Sequence, residues 1–398
     1  MIKIQEHIDR IDVEDYLDTL TEELWNELNP KVASGKRYKV ISLIEKCKKY
    51  ATASDTPAYL TAYANNDAPT AERHKNFFNF LTANDANELK KLIISKPISF
   101  AKLKSDISKI ITANDLFTGT PGNYSQTNFG KLLTETIFDY TKFRSSEFCK
   151  DLFSRLGFAS TTCPYCNDKM VIITKIKSNS TTETKLKAYL DLDHFYSKSQ
   201  NPFFALSFFN LIPTCHDCNS HDKGDKPFTI ETHIHPYHEA FENFYQFKVR
   251  LNVILGDVVE EIIIEKLPSK PLDRTLDDLN LINRYNNKTD ILQAQELVRY
   301  FINYRHLIGT PQEKAFKDAI FGLGRTPKEL KDVLKSPKGK MNRDILKQVD
   351  INKILGIIWN NEMKNGGSLK CGANFPRENN LFVLKCFFYK KADIWGFT

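Results

Sequence analysis

The sequence predicts a mostly helical α+β protein, on three observations. Leucines recur at helical spacing near the start, β-rich runs gather only beyond Cys163, and helical periodicity returns after Pro271. At 398 residues, 41% apolar and 12% aromatic, the chain is long enough for more than one core, because single cores stop growing near about 250 residues. It divides into a helical region over residues 1–150, a cysteine-bearing module over 151–240, and a hairpin with basic, mainly helical sequence over 241–398.

Residues 11–28, IDVEDYLDTLTEELWNEL, set Leu17, Leu20, Leu24 and Leu28 three and four apart among seven acidic residues and no basic one. The result is an amphipathic helix with an acidic outer face. Such a face repels a phosphate backbone and is either simply solvated or turned to a basic partner protein. The phrase TAND begins at Thr82 and again at Thr112, each before an apolar periodic run where its Asn or Asp can cap a helix. Two copies of four residues do not make a repeat.

Beyond Cys163, MVIITKI and KLKAYLDLDHF flank the polar segment KSNSTTETK, the pattern of a hairpin with a long exposed tip. Residues 245–253 alternate apolar and polar, LGD offers a turn, and VVEEIIIEK follows, which predicts a second hairpin. From Asp290 to Leu307, the spacing of Ile291, Leu292, Leu297, Val298, Phe301 and Ile302 predicts a helix packed on the cysteine-bearing module. The final run, LFVLKCFFYKKADIWGF, reads as a buried strand or core segment.

Charge is unevenly placed. Residues 321–398 hold fifteen Lys or Arg against seven Asp or Glu, so the basic surplus is C-terminal and the rest is nearly neutral. Two readings of KELKDVLKSPKGKMNRDILK stand: a phosphate-neutralising surface, or a solvated helix and loop of mixed charge. No apolar run reaches the roughly 18 residues of a membrane span, and MIKIQEHIDR carries charges where a signal peptide is apolar. A cytoplasmic protein without a membrane partner is expected.

Eight cysteines are too sparse for a disulfide scaffold in a chain this long, and four of them form two CxxC pairs. Cys163 with Cys166 and Cys215 with Cys218 supply four ligands for a closed tetrahedral zinc site, which has no open position for substrate and acts as a staple. A redox dithiol needs only one pair. Cys47, Cys149, Cys371 and Cys386 read as small core residues.

Between and after these pairs stand Asp193 and His194 in LDHF, Asn210 in FNLIPTCHDCN, and Asn219 before DKG. In this order, CPYC, LDHF, FNLIPTCHDCN and DKG resemble the HNH endonucleases of the ββα-metal fold, over about residues 160–240. The resemblance implies that His194 is the general base and that Asp193 and Asn219 hold a catalytic magnesium or manganese ion. It also implies that Asn210 ties down the loop that aims His194. Phosphodiester hydrolysis needs these parts: an activated water and a hard cation on oxygen ligands.

His221 is either a further metal or phosphate ligand or a solvent-facing residue. In HIHPYHE, His233, His235 and His238 either line the site or decorate a loop packed by Pro236 and Tyr237. Lys223 and Lys226 are candidate phosphate contacts, with His235 and His238 as further candidates for substrate binding. The segment LNLINRYNNKTD, with Arg284 and Tyr285, resembles one in bacterial anti-phage and restriction HNH proteins such as the Septu and retron-associated subunits, which work beside an ATPase. The expectation is therefore a metal-dependent endonuclease acting on DNA rather than RNA. The alternatives are a non-cleaving zinc-dependent nucleic-acid binder and an effector subunit active only with a partner ATPase.

Overall fold

Side-chain caps start many of the helices. Ser42 accepts from the Glu45 amide at the head of Leu43–Ala53, Thr56 from Tyr59 at the head of Pro57–Tyr63, and Asp67 from Thr70 at the head of Ala68–Ile94. Pro57 at the first helical position removes an amide that would lack a partner in any case. The computed structural model describes residues 2–349 apart from 121–122, 178–183, 253–257, 268–271 and 323–329. The final run LFVLKCFFYKKADIWGF, with Cys371 and Cys386, lies outside the described residues, as does half of the basic surplus.

The molecule is a mostly helical α+β protein with small antiparallel sheets. It consists of two compact units, Met1–Tyr245 with Lys266–Arg284, and Gln246–Glu265 with Tyr285–Thr398. No helix among the described residues is long and apolar enough to cross a membrane.

In the first unit, the helix Val13–Leu28 buries Leu17, Leu20, Leu24 and Trp25 and lies against Ala68–Ile94. Its acidic face is largely engaged within the chain: Glu14 with Lys96 at 2.5 Å, Glu22 with Lys90 at 2.7 Å, and Glu23 with Arg155 at 2.5 Å. The two TAND phrases behave differently. The second opens a helix at Thr112, whose amide and hydroxyl both donate to Asp115. The first sits at a kink inside Ala68–Ile94, where Asn84, Asp85 and Ala86 take φ of 49°, 55° and 59°. One small hairpin, Phe117–Thr120 with Asn123–Gln126, interrupts the helices. Cys47 and Cys149 are core residues, and burial pushes each thiol up to about 12.

The same unit carries the cysteine-bearing module. Ser160–Thr162, Met170–Lys177 and Thr184–Tyr189 form a three-stranded antiparallel sheet. Asp191–His194 then pairs with Leu211–Thr214, with Asp193 opposite Ile212 and His194 opposite Leu211. The start of the chain is tied to this module. Ile2 N donates to Pro164 O and Ile4 N to Pro236 O, both at 2.8 Å, while Gln5 donates to Tyr237 O at 2.6 Å. His7 Nε2 lies 3.2 Å from Gly157 O, and Gly157 has φ +107°; a Cβ there would meet His7 Nε2 at 2.9 Å.

In the second unit, the strands Tyr245–Asn252 and Val258–Lys266 pair as expected. The helix Lys288–Tyr304, capped by Asn287, buries Ala294, Val298 and Phe301, whereas Leu292 is exposed. Three lysines of the basic segment meet carboxylates of their own unit: Lys335 with Asp332, Lys338 with Asp290, and Lys340 with Asp344.

Candidate metal centre and the polar site beside it

Each cysteine pair is shaped by a tight turn. After the first, Asn167 N donates to Cys163 O at 2.7 Å, Asn167 takes φ 50°, and its side chain bonds Thr162 Oγ1 at 2.8 Å. After the second, Asn219 N donates to Cys215 O at 3.1 Å. Left-handed Asn is tolerated where a β-branched residue is not, so Asn167 suits the first turn.

These turns bring four buried thiols together. The Sγ atoms of Cys163, Cys166, Cys215 and Cys218 all lie within 4.8 Å of one another, and Cys166 Sγ is 3.9 Å from Cys215 Sγ. A zinc–sulfur bond of about 2.3 Å gives a tetrahedron with edges of roughly 3.8 Å, so the set fits such an ion and is too open for a disulfide. Burial and the neighbouring thiols hold Cys163 above the ordinary thiol range, and a bound cation would draw its proton off. Arg284 closes the cluster, with Nη1 3.1 Å from Cys218 Sγ and 2.7 Å from Asp222. Such an outer contact orients a ligand and balances thiolate charge.

The strand Asp191–His194 leads from this cluster to the other expected residues. Asp193 is buried, with both oxygens engaged: Tyr165 Oη donates to Oδ2 at 2.7 Å and Lys223 Nζ to Oδ1 at 2.9 Å. Burial, with Asp193 beside it, pushes the Tyr165 hydroxyl well above the usual phenol range, which keeps it a donor. Lys223 also donates to His194 O at 2.8 Å. Far from reaching into solvent, its ammonium joins the helix Asp217–Lys223 to the strand.

His194 is buried, its Nε2 3.0 Å from Ala205 O. A carbonyl only accepts, so Nε2 carries the hydrogen and Nδ1 is the acceptor of the neutral ring. Burial, then Lys198, pushes its pKa down to about 3, so the ring is neutral at pH 7. The Tyr140 ring stands edge-on to it at 4.5 Å. Asn210 contacts backbone only: its oxygen accepts from Tyr196 N at 2.7 Å, and its amide donates to Tyr196 O and Phe204 O at 3.1 Å. It closes the loop between His194 and Leu211.

Asn219 meets Asp191 instead of Asp193. Its Nδ2 lies 3.1 Å from Asp191 Oδ2, and His216 Nδ1 approaches the same oxygen at 3.0 Å. His221 is exposed, its ring 5.3 Å from that of His216. The structure thus groups Asp193, His194 and Lys223 inside, and Asp191, His216 and Asn219 at the surface.

Asp191, Tyr165, Tyr140 and His216 were not singled out from the sequence. Asp191 is two residues before Asp193 on one strand, and that period places both on one face, a signal available in LDLDH. Tyr140 is distant in sequence and carries no such signal.

The other candidates are dispersed. His233 stacks on Phe228 at 3.6 Å with Nε2 3.0 Å from Asp278, and His235 packs on Phe195 at 4.1 Å; both are buried. His238 is exposed. Lys226 donates to Asp278 O at 2.7 Å.

Comparison with known proteins adds one resemblance. No protein-family model matches the chain, and no solved structure does. A stretch of 137 residues is 28% identical to Protein ea31 of Escherichia phage lambda, covering 34% of this chain and 39% of that protein. The matched stretch is well under half of either protein, and this chain is similar to that relative over that part.

Proposed function

We propose that the chain is an HNH-type endonuclease that hydrolyses phosphodiester bonds in DNA, with a zinc ion on the four cysteines and a magnesium or manganese ion beside His194. The setting of His194 carries this reading. One tautomer is held by Ala205 O, on a strand that pairs with Leu211–Thr214 and continues through the second cysteine pair into the helix bearing Asn219. The fixed Nδ1 acceptor is the atom that would take a proton from water, and that role requires the anionic substrate to raise the ring's basicity above the value of about 3 that burial gives it.

Oxygen donors for a hard cation would be the Asp191 carboxylate and the side-chain oxygen of Asn219, whose amide nitrogen donates to Asp191 Oδ2 at 3.1 Å in this structure. Asp193, the carboxylate that the family resemblance implies, does not fit a cation while Lys223 and Tyr165 hold both its oxygens. A bound cation would supply Lewis-acid stabilisation of charge on the phosphate and leaving oxygens. The chain's own part is to accept the water proton at His194 Nδ1, hold the loop through Asn210, and fix the backbone at His194 through Lys223.

A place in bacterial anti-phage or restriction defence, beside a partner ATPase, rests on the resemblance of residues 279–290 alone. A second reading, a zinc-dependent nucleic-acid binder without cleavage, is favoured by the Lys223 ammonium on Asp193. Supercoiled plasmid with magnesium or manganese separates the two. Nicking that disappears in His194→Ala supports the nuclease; equal nicking in that variant overturns it. Asp191→Ala and Asp193→Asn, compared in the same assay, identify which carboxylate serves the cation.

A further inference from the structure

Next to the polar site, a cleft of about 630 Å³ opens between the helices Tyr140–Ser145 and Glu147–Phe153 and the strand Thr184–Tyr189. Arg144, Lys150, Lys185 and Lys187 line it against a single carboxylate, Glu147. Glu147 is engaged by Lys150 at 2.7 Å and by the Leu186 amide at 3.0 Å. Lys185 and Lys187 are two residues apart on the strand, hence on one face, and neither forms an ion pair among the described residues. Many other lysines of this unit do, including Lys90, Lys96 and Lys223.

Beside these cations the surface offers apolar and aromatic contact. Ile176 is 41% exposed, and the Tyr189 ring, 52% exposed, lies 4.9 Å from Lys187 Nζ. Cations interleaved with an exposed ring match what unpaired nucleotides need: charge for the phosphates and a face for a base. The cleft also touches the candidate site, since its wall residue Tyr140 stands against His194 and donates to Leu192 O at 2.9 Å.

We propose that this cleft binds single-stranded DNA and leads it past Tyr140 to His194. The volume suits a few nucleotides with their bases splayed, and a paired helix has no unstacked base to place on Tyr189. Where the bound strand goes rests on the nuclease reading; the binding itself does not.

Fluorescence anisotropy with a labelled oligothymidylate, at several salt concentrations and without added magnesium, tests the proposal. Lys185→Ala/Lys187→Ala should weaken binding about tenfold and reduce the salt slope by roughly 1.4, for two phosphate contacts on a single strand. Tyr189→Ala should weaken it by about fivefold or more. These side chains are exposed, and unchanged circular dichroism and zinc content confirm folding.

Equal affinity of wild type and the double variant overturns the cleft, as does tighter binding of duplex DNA or of an RNA of equal length. Lost binding in the variant, with no cleavage of plasmid or single-stranded DNA by wild type under magnesium or manganese, supports the cleft and removes the nuclease reading. Nicking by wild type with unchanged affinity in the variant does the reverse.

Discussion

The Lys223 ammonium lies 2.9 Å from Asp193 Oδ1 and 2.8 Å from His194 O, with the Phe228 ring 5.1 Å away. Both charged groups are buried, so removing one strands the other, at a cost of about 3–5 kcal/mol. Lys223→Met should therefore lower the urea midpoint sharply, and Asp193→Asn added to it should restore part of the loss. A surface phosphate contact behaves otherwise: unchanged stability in Lys223→Met would show that the ammonium is not held inside.

Metal content checks the cysteine cluster directly. Wild type should release one zinc per chain to a chromogenic chelator after thiol modification, and Cys218→Ser should release none and melt well below wild type. Arg284→Met keeps all four thiols but loses the contact with Cys218, so zinc affinity should fall about 10- to 100-fold. Full-strength zinc binding in Arg284→Met would leave that contact without a role.

Asn210 closes the loop with three hydrogen bonds to backbone. Asn210→Ala strands the Tyr196 amide and two carbonyls, which should cost about 2–4 kcal/mol of stability. Hydrogen exchange should localise the loosening to residues 195–210, while zinc content stays at one per chain.

His74 provides a pH test remote from the metal ligands. It is buried, stacked on Phe129 at 3.5 Å, with Nδ1 3.2 Å from the Tyr59 hydroxyl. Burial pushes its pKa down to about 4, below the 6.5 of the unfolded chain. The depressed folded value means that this contribution is complete above pH 6.5 and is lost as pH falls towards 4. While only the unfolded chain binds the proton, the loss is about 1.4 kcal/mol per pH unit. Urea denaturation at pH 7 and 5 should show a shallower decline for His74→Phe than for wild type; equal declines would show that His74 does not contribute.

The mostly helical class, both hairpins and the cysteine grouping were legible because each has a local signature: a leucine period, an alternation, a CxxC spacing. Which carboxylate meets Asn219 was not. Asp191 and Asp193 share a strand face, and only the positions of Lys223, Tyr165 and Asn219 around that strand separate them. Side-chain reach in three dimensions has no fixed spacing along the chain. The same reason hid the kink at Thr82: TAND can begin a helix or interrupt one, and packing chose differently at the two positions. It also hid the engagement of the acidic helix, whose partners Lys90, Lys96 and Arg155 lie far along the chain.

The attachment of Ile2 and Ile4 to Pro164 and Pro236 sets an order of events during synthesis. At about 5–20 residues per second, Ile2 and Ile4 leave the ribosome on the order of ten seconds before the Cys163 turn exists to receive them. Until then Ile2 and Ile4, buried in the finished protein, have no seat. Ile2 and Ile4 can therefore take their places only after the residues around Pro164 and Pro236 have been made.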